Sequence, residues 1–263
     1  MVVLPFFAIT FCVLLASQGV WGPLPDFKEL ENPETNLATE ILSADNKLLG
    51  KYFYENRTHI EYDELSSDLI NALIATEDER FFNHSGIDFI ALFRVLKGVL
   101  TGNSNLGGGS TITQQLAKMF FSKRPSSKIE RIQQKFKEWI IAVRIERKYS
   151  KQEIIAMYLN RFDFLNLAVG IKSAAKIYFN TSPDQLTVEQ SATLIGMAKN
   201  PSLYNPLKRP EKTTVRRNIV LNQMVKNKYL KEEERDSLST LPIILKYNKV
   251  DHNEGSATYF REH

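Results

Sequence analysis

From Ser66 onward apolar residues recur at three- and four-residue spacings, the period of a helix buried along one side. Leu69, Ile70, Leu73 and Ile74 open the pattern behind Ser66, Ser67 and Asp68 as candidate caps, and Glu77 continues the same stripe. Further helices are predicted over 88–100, 110–121, 127–148, 151–159, 168–178, 187–198 and 211–228. The body is therefore mainly α, and a charged, weakly patterned tail follows it. Toward the N-terminus the period changes. "ATEILSADNKLLGKYFYENRTHIEY" alternates apolar and polar residues about a turn at Asp45-Asn46, which predicts a small β-hairpin. Residues 23–36, "PLPDFKELENPETN", are rich in proline and acid and read as a linker.

The first 22 residues, "MVVLPFFAITFCVLLASQGVWG", carry no charged side chain. Twenty-odd helical residues cover about 30 Å, the hydrocarbon thickness of a bilayer. A transmembrane anchor is favoured over a secretory signal, because no basic residues precede the apolar run, although Ser17-Gln18-Gly19 would suit cleavage. A run that begins at residue 1 also fits an N-terminally trimmed copy of a longer chain.

Composition narrows the chemistry. With 263 residues, 43% of them hydrophobic and 24% charged, the chain can bury a substantial core, and disorder and low complexity are excluded. The single cysteine, Cys12, rules out an intramolecular disulfide, and histidines at 59, 84, 252 and 263 offer no zinc-ligand spacing. Net charge is only +4, but ten basic residues against three acidic ones fall between Lys118 and Lys148. That excess suits an anionic partner such as phosphate or lipid headgroup, and reads equally as a solvated basic helix face.

Three stretches carry candidate chemistry. In "ATEDERFFNHSG", Glu77 extends a buried stripe; partial desolvation would raise its carboxyl toward the range where a general base is most effective. The alternative is a helix end where Glu77 satisfies Arg80 or a backbone group. His84 and Phe81, taken alone, read as structural. "GGGSTITQQLAK" sets a glycine loop before a Ser/Thr-capped helix, whose open N–H groups would receive phosphate, and it lacks the Lys-Ser/Thr of a Walker A loop. In "SKIERIQQKFKEWIIAVRIERK", Ile129, Ile132, Phe136, Trp139, Ile140 and Val143 form an apolar stripe opposite Arg131, Gln134, Lys135, Glu138 and Ala142. Lys135 and Glu138 read either as an ordinary exposed pair or as part of a site covered by a second lobe, which the small Ala142 would let approach closely.

In this order the stretches resemble glycosyltransferase family 51, the peptidoglycan transglycosylase domain of class A penicillin-binding proteins and their monofunctional relatives. Glu77, Asp78, Phe81, His84 and Gly86 match the family's first motif; Gly108 through Gln115 and Lys118 match the second. Lys135 and Glu138 match the third, with Gln134 in place of its arginine, and Lys151, Ile154, Tyr158, Leu159 and Asn160 match the fourth. "GIKSAAKIYFN" and "VRRN" extend the likeness, while Leu165-Asn166 stand where many relatives have a glycine.

The resemblance implies a lysozyme-like, two-lobed, mainly helical transglycosylase domain at 64–228. A transmembrane anchor at 1–22 and a linker and β-hairpin at 23–63 precede it, and a connector at 229–263 leads toward a transpeptidase domain cut off from this chain. The stretches "FIALFRVLKGVL" and "MFF" would dip into the membrane; an interior core position is the alternative for either. Glu77 would take the proton from the 4-hydroxyl of lipid II. That oxygen then attacks the anomeric carbon of the nascent glycan, with inversion and loss of undecaprenyl diphosphate. Glu138 would be the second catalytic carboxylate. Asp78, Phe81, His84, Gly109, Ser110, Thr111, Thr113, Gln114, Gln115, Lys118 and Lys135 would bind substrate. Mg2+ or another divalent cation would come with the diphosphate, with Glu138 helping to hold it.

The implied partners are lipid II, the lipid-linked glycan, the bilayer and other cell-wall synthesis proteins, with no nucleic acid. The implied location is the outer face of a bacterial inner membrane. No transpeptidase motif is present, since the only Ser-x-x-Lys, Ser173 to Lys176, lies inside "GIKSAAKIYFN". Two rivals remain at this point, a glycan hydrolase with paired acids and a scaffold that has lost the chemistry.

Overall fold

A computed structural model describes residues 3–24, 39–42, 48–52, 59–102, 108–121 and 125–248. The elements follow in the order α1 (Val3–Ser17), β1 (Thr39–Leu42), β2 (Leu48–Tyr52), α2 (Ser67–Glu77), α3 (Phe89–Thr101), α4 (Ile112–Lys118), α5 (Lys128–Lys148), α6 (Lys151–Arg161), α7 (Ile171–Ala174), α8 (Val188–Ala198), α9 (Pro210–Lys226) and α10 (Glu232–Thr240). A π-helical turn, Ala175–Phe179, continues α7. The chain is mainly helical. β1 and β2 pair antiparallel, Thr39 opposite Tyr52 and Ile41 opposite Gly50; the turn expected at Asp45-Asn46 lies outside the described residues, as do most of the linker expected at 23–36 and residues 249–263.

The chain divides into two compact units, one of residues 1–27 and 77–158, the other of 28–76 and 159–263. In the first, α5 is the long element, 21 residues started by the Ser127 hydroxyl, which accepts from the Glu130 N–H. Both α1 and α4 pack on it. Its buried residues are Glu138, Ile141, Ala142 and Ile145, whereas Ile129 and Ile132 are 69% and 58% exposed. That corrects the expected orientation. The mixed face carrying Glu138 and Ala142 is covered, together with Ile141 and Ile145, while the apolar stripe is covered only in part. Trp21, just after α1, stacks near Phe136 at 6.1 Å, and Lys137 Nζ donates to the Trp21 carbonyl at 2.7 Å. α1 is 15 residues long, and no described helix is long and apolar enough to cross a membrane.

α3 keeps Ala91 buried and turns Phe89, Ile90, Phe93 and Leu96 outward, Phe93 being 71% exposed. An interior position for these four is thereby excluded.

In the second unit α9 packs between α8 and α10. Gly196 lets the helices approach, since a Cβ there would lie 3.2 Å from Arg216 Cγ. The "VRRN" segment joins the three helices: Arg216 Nε donates to the Gly196 carbonyl, and Arg217 Nη2 and Asn218 Nδ2 both donate to the Ser239 carbonyl. α10 was not expected from the sequence. It buries no residue, so no apolar period announces it; three glutamates in its first turn favour its start through the helix dipole.

Two departures from the predicted bounds have local causes. The helix expected over 110–121 covers only α4, because Thr111 is extended and caps it. The helix expected from 168 begins at Ile171, after Gly170 at φ +81°, where a Cβ would meet the Asn160 carbonyl oxygen at 2.8 Å. Asn160 itself clamps the Ile60 backbone, accepting from its N–H at 3.1 Å and donating to its carbonyl at 2.8 Å.

Between these points Leu165, Asn166 and Leu167 are all left-handed, at φ 64°, 52° and 65°. The loop is held by the Asp163–Val169 bridge and by Tyr178, whose hydroxyl accepts from Asn166 Nδ2 and donates to the Phe164 carbonyl. Each of the two leucines costs roughly 1–2 kcal/mol relative to the right-handed form, whereas asparagine tolerates it. Leu167 is the most exposed of the three, so Leu167→Gly is expected to stabilise the chain by about 0.5–1 kcal/mol, read as a rise in the thermal midpoint; a lower midpoint would show that the side chain contributes more than the strain.

Candidate active site

Glu77 is the last residue of α2 and half-buried. Its Oε2 accepts from Gln115 Nε2 at 2.9 Å, and the Gln115 Oε1 accepts from the Tyr158 hydroxyl at 3.2 Å. Burial, and then the charge of Glu77, push the Tyr158 phenol well above its ordinary value. Arg80 binds Asp88 Oδ2 through Nε and Nη2, at 3.0 and 2.7 Å, and lies 3.6 Å from Glu79 Oε1. Burial opposes ionisation of Asp88, but the Ala91 N–H and the Arg80 guanidinium outweigh it and hold the carboxyl below its usual range. Glu79 binds Arg94 of α3 at 2.9 Å.

Asp78 is buried and joins two motifs. Its Oδ2 accepts from the Ile112 N–H at 3.1 Å and lies 3.0 Å from His84 Nε2. The Gly86 N–H donates to His84 Nδ1 at 3.2 Å, which leaves the ring proton on Nε2, facing Asp78. Gly86 has φ +91°, and a Cβ there would lie 2.9 Å from the Ala142 carbonyl carbon, so the turn rests directly on the α5 backbone. The Gly86 carbonyl accepts from the Thr111 hydroxyl (2.7 Å) and from Gln114 Nε2 (3.1 Å).

These bonds bear on the expectation for the second motif. Two of the N–H groups at the start of α4 are already taken: Ile112 gives its proton to Asp78, and Gln114 gives its to the Thr111 hydroxyl. The anion at this helix start is the protein's own Asp78. Phe81, Thr113 and Gln114 are wholly buried, so in this structure they brace loops and face no solvent. Gly109 packs against α3, a Cβ there meeting Val95 Cγ2 at 3.2 Å.

A second cluster lies on α5. Lys135 Nζ donates to Glu138 Oε2 and to Ser110 Oγ, each at 3.0 Å, and Gln134 Nε2 donates to Glu138 Oε1 at 3.0 Å. Glu138 is only 5% exposed. Gln134 therefore keeps a hydrogen bond where a charge was expected. Both Glu138 oxygens are engaged in these bonds. Among the described residues one group of potential ligands converges, Asp78, His84 and Asp88, and each is engaged in the bonds given above.

Lys118 ends α4 exposed to solvent. Lys128 and Arg131 are also exposed; Lys123 and Arg124 lie outside the described residues.

The segment 110–115 links the two clusters, Ser110 holding Lys135 and Gln115 holding Glu77. Residues 45–225 match the family described as transglycosylase. The chain belongs to the transglycosylase family. Penicillin-binding protein 1A of Escherichia coli (strain K12) is 34% identical over 244 residues, 90% of this transglycosylase chain and 28% of that protein. The corresponding protein of Vibrio cholerae is 35% identical over 91% of this chain and 30% of its own. A 2.6 Å crystal structure of penicillin-binding protein 1A from Haemophilus influenzae is similar at 25% identity, covering 82% of this chain and 22% of that one, with a TM-score of 0.47. The transglycosylase chain thus spans less than a third of the length of these relatives.

Sequence reasoning overlooked Glu146, counted only as one acid among ten bases. It accepts from the Thr113 hydroxyl at 2.5 Å and pairs with Lys151 Nζ at 2.8 Å. Lys151 also donates to the His84 carbonyl at 2.6 Å and lies over the Phe81 ring at 4.3 Å. The signal available was its placement four residues beyond Ala142 on the covered face, with Lys151 five residues further on. Lys151→Met leaves the buried Glu146 carboxylate without its cation, which is expected to cost about 2–4 kcal/mol of transglycosylase stability, measured by chemical denaturation; a loss below about 0.5 kcal/mol would reduce the pair to an ordinary surface contact.

Proposed function

We propose that the chain is a peptidoglycan glycosyltransferase that polymerises lipid II, with Glu77 as the general base and the Lys135–Glu138 cluster, with Lys118, on the side of the leaving diphosphate. Glu77 takes the proton from the acceptor 4-hydroxyl as that oxygen attacks the anomeric carbon. The anomeric bond to the diphosphate breaks, and undecaprenyl diphosphate departs with the negative charge. Ammonium groups aimed at that charge stabilise it as it develops, which is the largest contribution such a site makes. Glu138 holds Lys135 in place and limits its swing. Magnesium carried on the diphosphate would need few protein ligands, and no step here passes through it.

The observation that carries this reading is the segment 110–115, which binds a half-buried carboxylate at one end and a lysine–carboxylate pair at the other. A hydrolase acting on finished glycan has no diphosphate to receive and no use for Lys118 and Lys135. The outward apolar face of α3 supports contact with the bilayer, which lipid-linked substrates require, and α1 with Trp21 supports attachment there. We assign the remaining residues of the first two motifs, Asp78, Phe81, His84, Gly109, Thr111, Thr113 and Gln114, to holding the site in shape, and Ser110 and Gln115 to its surface. The anchor at 1–22, the catalytic body at 64–228 and the connector at 229–263 belong to the same proposal.

Purified chain in detergent with magnesium is expected to convert labelled lipid II into long glycan strands. Glu77→Gln is expected to lower that rate by about 10²–10⁴-fold, the usual share of a general base, with unchanged thermal melting. Sugar release from finished peptidoglycan, with lipid II left intact, would establish the hydrolase instead.

A further inference from the structure

Tyr158 lies near the end of α6, 1% exposed, and is hydrogen-bonded to Gln115, which in turn binds Glu77. The direction of the two hydrogen bonds is fixed. A carboxylate accepts and cannot donate, so the Gln115 amide must turn its NH2 toward Glu77. Its oxygen then needs a donor, and the Tyr158 hydroxyl supplies one. Because burial and the nearby carboxylate keep the phenol protonated far above neutrality, that donor persists across the pH range in which cells grow.

α6 acts on the first motif at a second point. Lys151 lies seven residues before Tyr158, two helical turns away on the same face, and donates to the His84 carbonyl. One helix face therefore holds both ends of the segment 77–84, directly at His84 and through an amide at Glu77.

We propose that Tyr158 is a positioning residue for glycosyl transfer, locking the Gln115 amide in the orientation that donates to Glu77 and so aiming that carboxylate at the acceptor hydroxyl. The proposal rests on Glu77 being the base. Without the phenol the amide is free to turn, and in the turned state its oxygen faces the carboxylate and repels it. The binding of lipid II, which depends on the cations, is left unchanged.

The test is a double-mutant cycle on the full chain in detergent, with labelled lipid II and four proteins: wild type, Tyr158→Phe, Gln115→Met and the double variant. Tyr158→Phe is expected to lower kcat about tenfold, the loss of one hydrogen bond toward a charged group, with KM within about twofold. In the Gln115→Met background the same change is expected to cost nothing, because the amide through which Tyr158 acts is gone. An equal loss in both backgrounds overturns the proposal, since a purely structural phenol would weaken both proteins alike.

A second readout does not depend on turnover. In Tyr158→Phe the side-chain NH2 protons of Gln115 are expected to shift and to exchange faster with solvent by NMR. Unchanged Gln115 signals overturn the proposal. Should the wild type fail to polymerise lipid II, the reading of function falls, and the amide signals still decide whether Tyr158 fixes Gln115.

Discussion

A buried carboxylate that accepts from a backbone N–H and faces a histidine holds the first unit's chemistry in place. Asp78 binds the first residue of α4 and the ring of His84, and around that point Gly86 receives the Thr111 hydroxyl and the Gln114 amide. Two segments more than twenty residues apart become one rigid body. The geometry follows from the sequence adjacency of Glu77 and Asp78: once Asp78 is tied to α4, the preceding side chain has little choice but to meet Gln115 on the same helix. Hydrogen bonds to a charged acceptor contribute roughly 1.5–3 kcal/mol each. Losing Asp78 would therefore both unfasten the loop and release the Glu77 carboxylate.

The third motif is attached to this body by backbone approach. Gly86 lies against Ala142 with no room for a Cβ, and Ser110 receives Lys135. The face of α5 that looks polar in the sequence is consequently the covered one. A helix is expected to bury its most apolar stripe, but here polar groups on both sides satisfy one another, and Ile129 and Ile132 are left outside. Gln134 fits the same scheme, donating to Glu138 while carrying no charge of its own. Position 134 thus contributes an amide and no cation to the cluster.

Helix periodicity made α2, α3, α5, α6, α8 and α9 legible to within a residue or two, because each repeats apolar residues at helical spacing, although those of α3 face outward. α10 was invisible because it buries nothing, and the ends of α4 and α7 depended on a threonine cap and a positive-φ glycine, which spacing alone does not weight. In the site, motif spacing pointed to Glu77, Lys135 and Glu138 as candidate chemistry. It did not separate those residues from Thr113, Gln114 and Phe81, which the chain withdraws from solvent, because a motif records which residues must be present and not whether they face a ligand or each other. Glu146 escaped for a related reason: in a run of bases an acid reads as charge balance, and only the Thr113 hydroxyl and the Lys151 ammonium reveal it as a brace.

The bond from Lys137 to the Trp21 carbonyl gives α1 a part in the folded domain itself. Cutting the chain after Trp21 to obtain a more tractable protein would strand a lysine that has already surrendered part of its hydration, and would lay bare the ring of Phe136 beside it. The leading helix serves as a cover on α5, and a shortened version would leave that side of α5 bare.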